Sequence, residues 1–228
     1  MIIIFHLKQL NQQKENDMKK YVSISIILST IILLFFVIKI NSKTPDEKVK
    51  SFNESVKHET SGNLDKAIES IKSIYSSNKD NYLINLRLGW LYYQKKDYSK
   101  SKEYYSEAIE INPKSIEAKL GLTLPLSAKN EWDKIKELYF DILKIDAMDY
   151  TANLRLGQIY LQNADYNNAK KYLEIAYHSF PSYYEPNLSL GWTYYYLSNK
   201  DKAKLLLTQA LMLNEGDKLA TEGLNLIR

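Results

Sequence analysis

Two apolar patterns divide the chain. Tyr21 to Ile38, "YVSISIILSTIILLFFVI", is an unbroken run without a charge. Past Lys48 the apolar residues come in short clusters, separated by polar turns such as "QKKDYSKS" and "LSNKDKAK". One cluster returns: "LRLGWLYY" from Leu86, "LRLGQIYL" from Leu154 and "LSLGWTYY" from Leu188. The copies are in phase, since the gap from Leu86 to Leu154 is twice the gap from Leu154 to Leu188. Each holds two apolar stripes at helical spacing. In the first, Leu88, Gly89 and Tyr92 share one face, while Leu86, Trp90 and Tyr93, at i, i+4 and i+7, share another. The pattern predicts helices in pairs, repeated with the shorter gap as the period.

Counting places from Tyr82, that block has Leu88 and Gly89 at places seven and eight, Tyr92 at eleven, Tyr105 at twenty-four, Ala108 at twenty-seven and Pro113 at thirty-two. The block from Tyr150 repeats this with Leu156, Gly157, Tyr160, Ala169, Leu173, Ala176 and Pro181. The block from Tyr184 has Leu190, Gly191, Tyr194, Ala203, Leu207 and Ala210, with Glu215 where proline is expected. A worn copy fills 116–149: Leu122 and Leu126 fit, Thr123 replaces the glycine, Ile135 and Ile142 the alanines, and Ala147 the proline. The copy at 48–81 keeps Gly62, Leu64, Ala67 and Ile71 in its second half. Five repeats (48–81, 82–115, 116–149, 150–183 and 184–217) and a terminal capping helix at 218–228 fill everything past a linker at 41–47.

These places resemble the tetratricopeptide repeat, a helix-turn-helix unit with the pattern W-x2-L-G-x2-Y…A-x3-F…P. The resemblance implies an all-α, right-handed solenoid. Small residues let two helices approach, larger ones fill the angle between them, and each pair covers the apolar side of the last. It also places the second stripe of each first helix along a concave groove that binds a protein or peptide. That stripe is Leu83, Leu86, Trp90 and Tyr93, then Leu120 and Leu124, then Leu154, Gln158 and Leu161, then Leu188, Trp192, Tyr195 and Tyr196. The rings either face the groove or pack on neighbouring first helices. Arg87 and Arg155, beside the stripe, either hold a carboxylate of the partner or pair with an acid of the next repeat. Chaperone-binding members of the family place a lysine of their carboxylate clamp where this chain has Leu86, Leu120, Leu154 and Leu188, so no such clamp is expected.

At about 1.5 Å per residue, the uncharged run spans about 27 Å, the thickness of a bilayer core. It predicts a transmembrane signal anchor at 21–40, preceded by a tail at 1–20. A cleavable signal would have a shorter apolar region and an A-x-A-like site; the best small residue here, Ser42, follows Ile40 by two places. Lysines flank both sides equally, so the positive-inside rule does not orient the segment. "MKKYVSISII" from Met18 is similar to the start of a bacterial signal anchor, which implies an outside carboxyl end. Residues 1–17 are then either a cytoplasmic tail or a stretch upstream of a true start at Met18.

A net charge of +4, almost balanced past Lys48, carries no nucleic-acid footprint. Zero cysteines exclude disulfides and thiolate chemistry. His6, His58 and His178 are scattered, and neither a phosphate-binding glycine loop nor H-E-x-x-H is present. With 19 tyrosines against 6 phenylalanines, many rings pack on one side and keep a hydroxyl wet. The reading is a membrane scaffold that is not an enzyme and needs no metal or cofactor. It sits on the extracytoplasmic face of a bacterial inner membrane, bound to the lipid bilayer through residues 21–40. The alternatives are a structural subunit of an envelope complex formed by repeat self-association, and glycan binding by the aromatic groove.

Overall fold

A computed structural model describes residues 45–227, which form eleven helices and no strand. The expected tail at 1–20 and anchor at 21–40 lie outside the described residues; within them, no helix is long and apolar enough to cross a membrane. The linker expected over 41–47 is corrected at its end, because Pro45–Thr60 is the first of the described helices, α1. A proline in the first turn has no donor to leave unsatisfied and presets φ for the helix, while Asp46 and Glu47 favour the positive end of the helix dipole. Pro45 starts a helix rather than ending one.

The helices fall into two compact units divided between Lys79 and Asp80. In the first unit α1 and α2 (Leu64–Tyr75) pair around buried Ala67, Ile68, Ile71 and Ile74. In the second, α3 (Tyr82–Gln94), α5 (Ile116–Ala128), α7 (Tyr150–Gln162) and α9 (Tyr184–Tyr196) begin one period apart. Each is followed by its partner: α4 (Tyr98–Ile111), α6 (Trp132–Ile145), α8 (Tyr166–Ser179) and α10 (Lys200–Leu213). A last helix, α11 (Lys218–Ile227), begins one period after α9 and so holds the place of another first helix.

The turns inside the pairs repeat as strictly as the helices. Gly62, Lys96, Asn130, Ala164 and Ser198 follow one another at the same period, and all have φ between 57° and 75°, the left-handed conformation that closes a helix C-terminus. The following N–H reaches back to the end of the first helix, as in Asp97 N–H to the Tyr92 carbonyl (2.9 Å) and Asp165 to Tyr160 (2.9 Å). The same residue then caps the second helix: Asn63, Asp97, Asp165 and Asn199 accept from the backbone N–H of Lys66, Lys100, Asn168 and Lys202. Between repeats, place four bonds backward. Asn187 Nδ2 donates to the carbonyls of Pro181 and Tyr183, both at 2.7 Å, and Asn153 holds Ala147 and Asp149 in the same way.

Helix spacing is set by glycine at place eight. A Cβ on Gly89 would meet the Tyr105 ring at 2.8 Å, one on Gly191 would meet Leu207 Cγ at 2.9 Å, and one on Gly157 would come closer still to Leu173. Repeat three has Thr123 there, and α5 and α6 touch over a shorter stretch than the other pairs. The wider gap is filled by Ile135, Ile142 and Tyr139, all buried. The close approach has moved to Gly121 at place six, where a Cβ would overlap the Tyr105 ring of the preceding repeat.

Candidate functional site: the open face of the first helices

First helices of neighbouring repeats touch each other: α3 meets α5, α7 meets α9, and α9 meets α11. Place eight meets the helix's own partner in α3, α7 and α9, through Gly89, Gly157 and Gly191, and places three, four and seven are buried in α3, α5, α7 and α9 alike. A turn of about 100° per residue puts places two, five, nine, twelve and thirteen on the side opposite places three, four and seven. Place nine reads Trp90, Leu124, Gln158, Trp192, Leu226 along the array, and place five reads Leu86, Leu120, Leu154, Leu188, Glu222. Charge is scarce on this face, and two stretches centred on tryptophans flank a polar middle.

The predicted site residues divide by burial. Leu86, Trp90, Tyr93, Leu120, Leu124, Leu161, Leu188, Trp192 and Tyr195 are half-buried, as are Gln158, Arg87 and Arg155, while Leu83 and Tyr196 are exposed. Leu154 is corrected: at 1% exposure it packs with Ala169, Leu173 and Leu190 and presents no surface to a partner. The rings pack on neighbours without being sealed by them. Leu86, Trp90 and Leu120 lean on the core cluster that holds Leu122 and Leu126, and each keeps one side open. Trp192 lies edge-on to Tyr195, with centroids 5.5 Å apart, and 5.9 Å from Tyr196, which in turn stacks on Tyr166 at 4.6 Å. The Trp90 end is sparser, with Tyr93 at 6.0 Å and Tyr98 beyond it.

The polar middle is a chain of bonds. Arg155 Nη1 donates to Gln158 Oε1 at 2.8 Å and to Glu185 Oε1 of the next repeat at 3.2 Å, and Gln158 Nε2 donates to Ser189 Oγ at 3.2 Å. Of the two roles open to Arg155, the structure shows pairing with an acid of the next repeat. The pair is too exposed to add much stability, but it neutralises the middle of the face. Place one ties the repeats at the edge of the face: the Tyr82 hydroxyl bonds Ser115 Oγ (2.7 Å) and donates to Glu117 (3.0 Å), and Tyr184 donates to Asp217 (2.5 Å). Burial raises both phenol pKa values; the Tyr184 bond and the Ala220 N–H hold the Asp217 carboxyl below its usual value. Among the described residues no group of three or more histidines and carboxylates could hold a metal ion. What the face can do chemically is bury apolar side chains and offer phenol hydroxyls.

Comparison with known proteins agrees with this architecture. Models of the tetratricopeptide repeat match residues 84–115, 150–177 and 184–217. Superkiller protein 3 of Schizosaccharomyces pombe is 31% identical over 113 residues, half of this chain, and the match spans 7% of that protein's length. Among solved structures, a tetratricopeptide repeat protein from Parabacteroides merdae superposes with a TM-score of 0.69 at 17% identity, over 80% of this chain and 72% of its own. MamA gives 0.64 at 19% identity over 75% and 94%. YrrB, described as a tetratricopeptide repeat protein with an unusual peptide-binding site, gives 0.63 at 16% over 78% and 92%. At these identities the structural likeness is one of fold. With the sequence motifs, the helix pairs and the matched repeats in agreement, residues 84–115, 150–177 and 184–217 carry tetratricopeptide repeats, and the described residues are all-α and built of paired helices.

Proposed function

We propose that the chain is a membrane-anchored scaffold that binds a segment of a partner protein along the open face of its first helices, with the repeats outside the cytoplasm. The observation that carries the reading is the state of the two tryptophans. Trp90 and Trp192 are neither sealed nor fully exposed, on a face whose central arginine is already neutralised by Glu185. Half-buried rings held by neighbours are preorganised to accept apolar side chains, the arrangement typical of binding hot spots. The peptide-binding site named for YrrB supports the same reading by analogy of fold. The anchor rests on the uncharged run from Tyr21 to Ile38.

Selection of random linear peptides on the full chain in mild detergent tests the binding. Selected peptides should lose about 30-fold in affinity on Trp90→Ala or Trp192→Ala, equivalent to about 2 kcal/mol. Peptides indifferent to both changes would reject the face. A reporter fused after Arg228 should be active only outside the cytoplasm.

Self-association is the second reading, favoured by α10. At places twenty-two and twenty-nine the outer faces of α4, α6 and α8 carry Glu103 and Glu110, Glu137 and Lys144, Lys171 and His178. The same places of α10 hold Leu205 and Met212, both well exposed. If copies pair through that stripe, Met212→Glu should turn an oligomer in detergent into a monomer.

A further inference from the structure

The sequence predicts that the terminal helix only caps the array, yet it carries two exposed leucines, Leu219 and Leu226, each 52% exposed. Their positions matter because α11 keeps the register of the first helices: counted from Lys218, Leu219 is at place two and Leu226 at place nine. A missing second helix does not explain them. Such a helix would cover places four and eight, the side on which Gly157 meets α8, and on α11 those places are Thr221 and Asn225, both exposed and polar. That side of α11 already has the composition of a solvated end.

Leu226 instead continues the row of Trp90, Leu124, Gln158 and Trp192, and Leu219 stands at place two of the same face, the place of Leu83. Gly223, at place six, joins the two helices: a Cβ there would lie 2.6 Å from Leu207 Cδ1 and 3.3 Å from Trp192 Cζ2. The glycine thus lets α11 settle against the ring, and Leu219 and Leu226, four places before Gly223 and three after, flank it on the same side of the helix. Between the leucines at place five stands Glu222, exposed, where the four preceding first helices have leucine. Among the described residues no ion pair engages Glu222: Lys218 stands one turn before it without bridging to it, and Arg155 is held by Glu185.

We infer that α11 is a further wall of the binding face, and that Leu219, Leu226 and Trp192 form its end subsite, which takes an apolar side chain next to a basic one on the partner segment. The inference rests on the proposed binding of a protein segment. The apolar side chain buries against the two leucines and the ring, while the basic one meets Glu222, whose charge complements it.

The test uses the full chain in mild detergent and the displayed random peptides, with three variants. Leu226→Glu places a charge in the subsite, Glu222→Lys reverses its charge, and Asn225→Glu controls for a charge on the other side of the same helix. Peptides selected on the natural chain should place leucine, methionine or phenylalanine beside lysine or arginine. Those that need Trp192 should lose about tenfold or more in affinity on Leu226→Glu and less than about twofold on Asn225→Glu. Selection on Glu222→Lys should yield acidic residues at the basic position; because Glu222 is exposed, this readout stands even if Leu226→Glu lowers the melting temperature. Trp192-dependent peptides that bind Leu226→Glu unchanged, with no change of charge preference on Glu222→Lys, would overturn the inference and leave the binding face intact. Loss of self-association on Leu226→Glu without an effect on peptides would show that a second copy covers the leucines, and would overturn it as well. Peptides that ignore both tryptophans would remove the face and the subsite together.

Discussion

In repeat four, α7 meets α8 through a glycine and two alanines: Gly157 lies against Leu173, and Ala169 and Ala176 are fully buried. Repeat three, of the same length and order, puts Thr123, Ile135 and Ile142 in those places, and its helices stand further apart. Its second helix is also capped differently. Asp165 caps α8 with its side chain, whereas Glu131, in the same place before α6, makes no cap bond. The Glu131 carboxylate is held instead by Lys134 and by Lys102 of the preceding repeat, which lower its pKa. The register of the array thus survives the loss of the small residues that define it elsewhere. Side-chain volume rises as the helices separate, so the larger side chains fill the wider angle and the pair stays packed.

The strongest way to break this comparison is to give repeat three the residues of repeat four. If Ile142 fills a gap the helices cannot close, Ile142→Ala should cost about 2–5 kcal/mol in denaturant unfolding. A neutral or stabilising outcome would mean that the pair closes up on the alanine. Gly157→Ala is the converse, and its new Cβ has only Leu173 and the Leu173 backbone to move. It should cost about 1–3 kcal/mol, while Thr123→Ala, in the open repeat, should cost less. Amide exchange should also separate the two: Lys119–Ala128 should exchange faster than Asn153–Gln162, because Pro125 sits inside α5 and leaves the Gly121 carbonyl without its helical donor. Equal protection would show that packing has absorbed the proline.

A smaller effect sharpens the contrast at the far end of the array. Asp217 caps α11 through the Ala220 N–H (2.7 Å) and has a lowered pKa in the folded chain. Its contribution is therefore present above the ordinary carboxylate range and is lost as pH falls through the lowered folded-state value. Exchange from α11 should rise with acid below about pH 4, and Asp217→Ala should remove that dependence at a cost of about 0.5–2 kcal/mol. The smallest effect belongs to Glu185→Gln, which should change stability by about 1 kcal/mol or less because its pair with Arg155 is half-exposed.

Where the helices start was legible because place one follows a polar capping residue in most blocks and the apolar spacing never drifts. What stayed hidden depends on neighbours in space. Leu154 matches Leu86, Leu120 and Leu188 in sequence and differs only in that Leu173 and Leu190 close over it. Gly121 could not be recognised as the replacement for a missing glycine, because its partner, Tyr105, belongs to the previous repeat. Pro45 reads equally as the end of a linker or the first turn of a helix until the residues after it are seen to coil. The face of α11 is hidden because so short a remnant announces its length more plainly than its register.

The left-handed turn inside each pair has a bearing on how the protein could be hardened. Only repeat one meets it with glycine; Lys96, Asn130, Ala164 and Ser198 hold it with a side chain, and all but asparagine bear most of the roughly 1–2 kcal/mol that this conformation costs. Glycine gives back part of that gain through the looser unfolded chain. Three exposed positions, Lys96, Ala164 and Ser198, each in a turn of its own, are therefore separate sites for thermal improvement. Replaced by glycine one at a time and then together, they should raise the melting temperature in nearly additive steps. An engineer wanting a sturdier binding scaffold would begin at the turns and leave the helices alone.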